Sequence, residues 1–335
     1  MSALARIVSR ESAADVTSII DELILRAANA WIFITRGRLR RRCIRHFGRF
    51  PDIARPCGHD ALMQWRKVFD HNPLFVTFCD KLETREWVRR RMPELKCAEL
   101  VWVGTSVDDL PLDLLTADVV LKAASGSGWN YFPGRQHWDV ATVRDRCARW
   151  LQRPRRRDEW AYGQLPARIL IERLNGTVDE LVDLNLRCHN GRVASAFIGY
   201  AWKTDDARGA YVSADGTPLS DAGQAILEQV GRPVPPELFQ RASSIAAHLS
   251  AGIDHVRVDF HLRGDEIFLG ELTVYSSSGL GEEEKEGVGP IIERQWIEEL
   301  DESWFLSTPQ PWPVSLYQGA FRRWLERRRA ELGVS

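Results

Sequence analysis

The chain has 335 residues, 44 % of them hydrophobic and 27 % charged. That length suggests about two domains and a core that needs no disulfide or metal staple, and the composition excludes a disordered, fibrous or disulfide-framework protein. The 45 basic and 46 acidic residues leave a net charge of −1, so no global field directs the chain to nucleic acid or a membrane.

The chain starts with a segment whose apolar positions (Val16, Ile19, Ile20, Leu23, Leu25) fall at helical spacing, which predicts an amphipathic helix over residues 11–35. Nothing in Met1–Thr35 reads as a secretory leader. No run approaches the roughly 20 apolar residues of a spanning helix, so no transmembrane segment is expected. Then come Arg36, Arg38, Arg40, Arg41, Arg42, Arg45 and Arg49. Such a run suits peripheral contact with an anionic surface or a polyanionic sugar chain, and equally a solvated helix face. Pro73 and the apolar stretch Leu74–Phe78 precede a helical segment, Asp80–Arg91. Leu100–Val103 is β-type, as is Ala117–Leu121, which runs into a Gly/Ser loop. Residues 139–151 read as helix, and Ala167–Ile171, Leu181–Cys188 and Val193–Trp202 as strands. The stretch 203–233 reads as loop-rich and Pro235–Ser250 as helix. His255–Leu262 and Glu266–Thr273 flank the turn Arg263-Gly264-Asp265 as a hairpin. Tyr317–Leu332 reads as a basic closing helix. Interleaved strands and helices that end in a hairpin predict an α+β fold with at least one antiparallel sheet.

Only six of the basic residues are lysine (Lys67, Lys81, Lys96, Lys122, Lys203, Lys285), so each lysine is informative. The six cysteines (Cys43, Cys57, Cys79, Cys97, Cys147, Cys188) form no CxxC pair and match no zinc spacing. They read as reduced thiols of a cytoplasmic protein.

Four stretches carry chemistry. Arg257-Val258-Asp259-Phe260 and Gly270-Glu271-Leu272-Thr273 lie on the two hairpin strands. Asp259 and Glu271 can share one face there, as two hard oxygen donors for Mg²⁺. Arg257 leaves its strand on the same face as Asp259. A salt-bridged surface hairpin would show the same pattern. Lys122 ends an apolar strand before Ser125-Gly126-Ser127-Gly128, a small-residue loop whose N–H groups can approach phosphate. The Walker spacing is absent. Glu172 ends the strand Arg168–Ile171, where a carboxylate can take ribose hydroxyls or simply terminate the strand. Lys81 and Arg85 fall at i, i+4 on one helix face.

In this order the stretches resemble the ATP-grasp superfamily, and more narrowly the TupA-like ATP-grasp family, from about residue 60 to 300. The family's motifs read here as Asp80-Lys81…Arg85, Lys122…Gly126-Ser127-Gly128-Trp129-Asn130, Asp183-Leu184-Asn185, and Arg257-Val258-Asp259-Phe260…Gly270-Glu271-Leu272-Thr273-Val274-Tyr275…Gly279. Asn185 stands where the family often has lysine. Thr273 stands where many ATP-grasp enzymes have asparagine, and Ser276–Ser278 replaces the usual proline.

The resemblance implies ATP held between two α+β subdomains, preceded by a helical basic N-terminal segment. The corresponding divisions are 1–58 (basic helical segment), 59–116 (N-terminal region), 117–175 (lid), 176–312 (catalytic subdomain) and 313–335 (C-terminal helix). Lys81, Arg85, Lys122, Ser125, Gly126, Ser127, Gly128 and Glu172 would bind ATP. Asp259, Glu271 and Thr273 would hold Mg²⁺. Arg257, with Lys122, would neutralise charge on the transferring phosphoryl group. The implied reaction is ADP-forming carboxylate–amine ligation through an acylphosphate, with a small-molecule or polysaccharide carboxylate as donor. A uronic-acid surface polysaccharide or its precursor is the substrate expected from the family's name, and Trp129, Trp138, Trp160 and Trp202 are candidates for sugar stacking. A kinase, a natural-product amide ligase, or a non-catalytic module binding nucleotide or an anionic polymer are the alternatives. Nucleic acid is not an expected partner.

Overall fold

The computed structural model describes residues 3–126, 128–135, 139–152, 158–177, 179–201, 204–281 and 287–334, with side chains from Val16 onward. In chain order the helices and strands begin with α1 (Ala3–Thr35), α2 (Gly37–Phe47), α3 (His59–Phe69), α4 (Leu74–Cys79) and α5 (Lys81–Arg91). There follow β1 (Lys96–Cys97), β2 (Leu100–Gly104), β3 (Val119–Ala123), β4 (Asn130–Tyr131), α6 (Val140–Gln152) and β5 (Ile169–Arg173). Next come β6 (Val182–His189), β7 (Arg192–Tyr200), β8 (Arg208–Ser213), α7 (Asp221–Val230) and α8 (Pro236–Ser250). The chain closes with β9 (Val256–Arg263), β10 (Glu266–Thr273), α9 (Gly289–Glu299), α10 (Trp304–Ser307) and α11 (Val314–Leu332).

Several elements differ from the sequence reading. The apolar stretch at 74–78 is helical. The stretch 203–233, read as loop-rich, contains β8 and α7. Helix α7 starts where the Ser220 hydroxyl accepts from Gly223 N at 3.0 Å and stops at Gly231, whose φ is 64°. Both are ordinary helix punctuation. Helix α3 falls where the sequence reading assigns no element, and its charged Asp60, Arg66 and Lys67 are buried along with its apolar residues.

The strands form two sheets. The larger has the order β1-β10-β9-β6-β7-β8, antiparallel except for the parallel pair β1–β10. The smaller has the order β2-β5-β3-β4 and is antiparallel throughout. Strand β2 pairs with β5, so the boundary expected at 116/117 cuts this sheet, which begins at Leu100. On one face of the large sheet, Leu184, Leu186, Val258, Phe260, Ala196 and Val212 are buried and packed under α8 and α9. One face of the small sheet buries Val119, Leu121, Ile169 and Ile171 with Val143 and Cys147 of α6 in a separate core.

A fully buried arginine ties α3 to the ends of the strands that carry the expected site. Arg66 donates to Asp254 Oδ1 at 2.6 Å, to the His255 carbonyl at 2.7 Å and to the Val274 carbonyl at 3.2 Å. Its guanidinium lies over Trp296 and Phe75, at 4.6 and 4.7 Å from the ring centroids. Trp296 Nε1 donates to the other Asp254 oxygen at 2.7 Å. Asp70 lies 3.7 Å from Arg66 Nε. Burial, with repulsion from Asp254, pushes its carboxyl up to about 7 against the pull of Arg66.

Three buried histidines line this cluster. His255 stacks on Trp296 at 4.1 Å, and His189 and His59 lie 4.7 and 6.0 Å from His255. His189 Nδ1 is 3.0 Å from the Asp254 carbonyl. Burial drives the His189 pKa down to about 3 and His255 well below its usual range, with nearby cations adding to the effect.

Two outcomes follow from this core. Arg66→Leu leaves Asp254 buried without its cation, and urea unfolding should show a loss of about 3–5 kcal/mol; an unchanged midpoint would deny the pair its structural role. Because the folded pKa of His189 lies below the unfolded value, its contribution to stability is complete above about pH 6.5 and is lost as pH falls toward 3. By pH 5 this histidine alone should cost the fold roughly 2 kcal/mol. His189→Asn should flatten the dependence of urea midpoint on pH between 7.5 and 5, and an equal slope in both proteins would count against it.

Candidate active site

On the small sheet, Lys122 pairs with Leu170, two residues before Glu172. Lys122 and Glu172 are therefore diagonal neighbours on the face that turns away from α6. Lys122 Nζ lies 2.6 Å from Glu172 Oε2, and Arg85 of α5 lies 2.8 Å from Glu172 Oε1. Burial raises the Glu172 carboxyl, but Lys122, Arg85 and Lys81 together hold it below the usual range. The expected i, i+4 pair thus divides its contacts. Arg85 reaches Glu172, while Lys81 Nζ donates to the Gly126 carbonyl at 2.8 Å. Burial lowers the Lys81 pKa, Glu271 opposes that shift, and Lys122 adds to it.

The loop after β3 is anchored to the start of α5. Lys81 N donates to the Ala124 carbonyl at 3.1 Å, and Asp80 and Ser125 form an isolated β-bridge. Asp80 caps α5 by accepting from Leu82 N at 2.9 Å, and receives Arg168 at 2.5 Å. Gly126 has a φ of 134°, and a Cβ there would lie 3.1 Å from the Trp129 ring. Gly128 has a φ of 73°. Ser127 lies outside the described residues, as do Trp138 and Trp202. Trp160 stacks on His71 at 4.9 Å.

On the large sheet the register sets Asn185, Asp259 and Glu271 side by side across β6, β9 and β10. Arg187, Arg257 and Thr273 form the adjacent row. A bulge at Gly270 makes this possible. Leu269 pairs with Phe260 and Glu271 pairs with Asp259, so Gly270 is the extra residue. Without it, strict alternation would turn Glu271 and Thr273 onto the same face as Leu269, into the core. A Cβ at Gly270 would lie 3.0 Å from the Asp259 carbonyl, tighter than most contacts.

Arg257 grips both oxygens of Asp259, at 2.6 and 2.7 Å. Thr273 Oγ1 is 3.0 Å from Asp259 Oδ2 and 3.2 Å from Glu271 Oε1. Burial raises the Asp259 carboxyl, Arg257 and Thr273 pull it down, and Glu271 pushes it up, with a net upward shift. These donors are all oxygen and include two carboxylates, the set a hard divalent cation prefers. No group of three or more His, Cys, Asp or Glu forms a metal cluster among the described residues. The two carboxylates with the Thr273 hydroxyl nonetheless fit such an ion on a partly open face.

The two sheets meet at one cleft. Lys81, Arg85, Lys122 and Glu172 line it from one side, and Glu271 and Thr273 from the other, with Phe78, Tyr162 and Leu272 between. Ser125, Gly126 and Gly128 do not line it; the loop reaches it through the Lys81 bond to Gly126.

Sequence reasoning missed two groups here. His261 and Asn175 line the cleft, 3.1 Å apart, and His261 Nε2 is 3.6 Å from Asp183. The alternation Arg257-x-Asp259-x-His261 carried that signal. The second group clamps the chain just beyond Thr273, where Ser277 and Ser278 adopt φ of 46° and 60°. Lys67 of α3 donates to the Ser278 carbonyl at 2.5 Å, and Arg42 of α2 donates to the Ser278 hydroxyl at 2.9 Å. Burial lowers the Lys67 pKa to about 8 despite Glu159 and Asp158. One arginine of the N-terminal run thus belongs to the interior.

The TupA-like ATP-grasp family model matches residues 61–289. The chain belongs to the TupA-like ATP-grasp family. Its α+β architecture is the ATP-grasp fold. Among solved structures it is similar to the D-alanine–D-alanine ligase from Bacillus anthracis, at 14 % identity over 76 % of this chain and 69 % of that one, with a TM-score of 0.39. The D-cycloserine synthetase DcsG is 15 % identical over 67 % of this chain and 72 % of its own, with a TM-score of 0.33. The ATP-grasp ligase PsnB, complexed with minimal precursor, is 10 % identical over 64 % and 59 %, with a TM-score of 0.33. Comparison with curated proteins gives no match.

Proposed function

We propose that this ATP-grasp protein is an ADP-forming carboxylate–amine ligase. The observation that supports it best is the cleft itself. Glu271 and Thr273 of the large sheet, beside Asp259 and Arg257, stand across it from Lys81 and Arg85 of α5 and Lys122 of the small sheet. That is the charge pattern a nucleoside triphosphate requires.

In this reading Lys81 and Lys122 hold phosphate oxygens, with Arg85 beside them, and Glu172 accepts ribose hydroxyls. The small sheet from Leu100 to Arg173 acts as the lid, and the Ser125–Gly128 loop closes over the terminal phosphates. Asp259 and Glu271, with Thr273, would hold Mg²⁺. When bound, the ion supplies charge neutralisation to the phosphate oxygens. Arg257 orients the Asp259 carboxylate and shares its charge with the transferring phosphoryl group. A carboxylate oxygen of the donor attacks the γ-phosphorus, the bond to ADP breaks, and an acylphosphate forms. The amine nitrogen then attacks the acyl carbon, phosphate leaves, and the nitrogen gives up a proton. Positioning and electrostatics do the work in such a transfer. Closure of the loop excludes the water that would hydrolyse the acylphosphate.

The proposed donor is a uronic-acid carboxylate of a surface polysaccharide or its precursor, a reading that rests on the family's name. A cytoplasmic setting suits an ATP consumer whose described cysteines are all free thiols.

The first experiment is calorimetric titration with a non-hydrolysable ATP analogue, with and without Mg²⁺. Binding that strengthens with Mg²⁺ is expected, and none at all in the folded protein would remove the ligase reading. Glu271→Ala should lower ADP release by roughly 10²–10³-fold with the fold intact; normal turnover would sink the metal assignment. Lys122→Ala should weaken analogue binding about ten-fold or more, and an unchanged affinity would mean the phosphates sit elsewhere.

A further inference from the structure

Helix α1 has two apolar faces. One buries Leu25 and Ile32 beside α11, and Asp21 there takes Arg323 in a two-pronged pair at 2.6 and 2.8 Å. The opposite face is bare. Val16, Ile20, Leu23, Ala27, Ala30 and Ile34 recur at alternating steps of four and three, which places them in one row along the helix. Leu23 is 62 % exposed and Ile34 74 %, and Ile19 beside the row is 61 % exposed. A monomer in water rarely displays so long an apolar strip.

The strip ends among arginines. Arg36 lies over the Trp31 ring at 5.5 Å, and Arg40 over Phe33 at 4.7 Å. On α2, Leu39 and Cys43 are buried, so Arg41, exposed Ile44 and Arg45 point the other way. Among the described residues no carboxylate pairs with Arg36, Arg40, Arg41, Arg45 or Arg49. These helices precede the part of the chain that the family model matches, which begins at residue 61. Among the described residues no helix is long and apolar enough to cross a membrane.

We propose that α1 and α2 form a docking surface that lies on an anionic lipid bilayer, with the α1 strip sunk among the acyl chains and the α2 arginines on the headgroups. The unpaired arginines decide between occupants. A second copy of this chain would bring the same uncompensated positive charge to the contact. Anionic headgroups neutralise it while the strip leaves water, the combination that holds interfacial helices.

The test is co-sedimentation of the full chain with phosphatidylglycerol or phosphatidylcholine vesicles, with solution mass measured by light scattering. Binding to phosphatidylglycerol alone is expected. Leu23→Glu, and separately Arg41→Glu with Arg45→Glu, should each weaken it about ten-fold or more, with circular dichroism and mass unchanged. The proposal is overturned if the wild type ignores phosphatidylglycerol vesicles. It is equally overturned if Leu23→Glu binds as before, since charge alone would then suffice, as for a soluble polyanion. A wild-type dimer that Leu23→Glu splits would show that a second copy covers the strip.

Discussion

Everything near the cleft depends on one buried charge pair, Arg66 with Asp254. Two charges taken from water cost the fold several kcal/mol each, and only close geometry and full hydrogen bonding offset that cost. Here the guanidinium finds a carboxylate, two carbonyls and two aromatic faces. Its partners are the residues just before β9 and just after β10. The pair therefore clamps both open ends of the hairpin that bears Asp259 and Glu271. The hairpin's turn end is closed by the chain itself, so both strands are held at each extremity.

Between those clamps, the large sheet separates oil from charge by strict alternation, and a single glycine resets that alternation on β10. The bulge lets Leu269 and Leu272 both enter the core while Glu271 and Thr273 both face out. On the small sheet the β3–β5 pairing is regular, and Lys122 and Glu172 occupy diagonal positions on it. The result is a buried carboxylate held between two cations on one wall, and a carboxylate pair bridged by one cation on the other. The first wall keeps a net positive charge and the second a net negative one, so the two walls complement each other across the cleft.

The hairpin, the Lys122 strand and the Glu172 strand were legible because each is a short apolar run with a charged residue at a set phase. The α+β class followed from their order. The bulge was not read, although Gly270 in a strand interior is the usual mark of one. Helix α3 was invisible for a physical reason. Its charged Asp60, Arg66 and Lys67 are solvated by protein, not water, and nothing local marks a charged residue as buried. The membership of β2 in the small sheet was not legible because it rests on pairing with β5, about seventy residues downstream, and no local signal encodes that. Arg42 looked like one more surface arginine because the sequence cannot say which member of a basic run will turn inward.

The pairing of α1 with α11 sets an order on the making of this protein. Asp21 leaves the ribosome 302 residues before Arg323. Until then Leu25 and Ile32 have no partner helix, and α1 is apolar on both sides. A nascent chain in that state exposes a sticky helix throughout synthesis, the condition in which chaperones or early surface binding matter most. Helix α1 is made long before the helix that covers it.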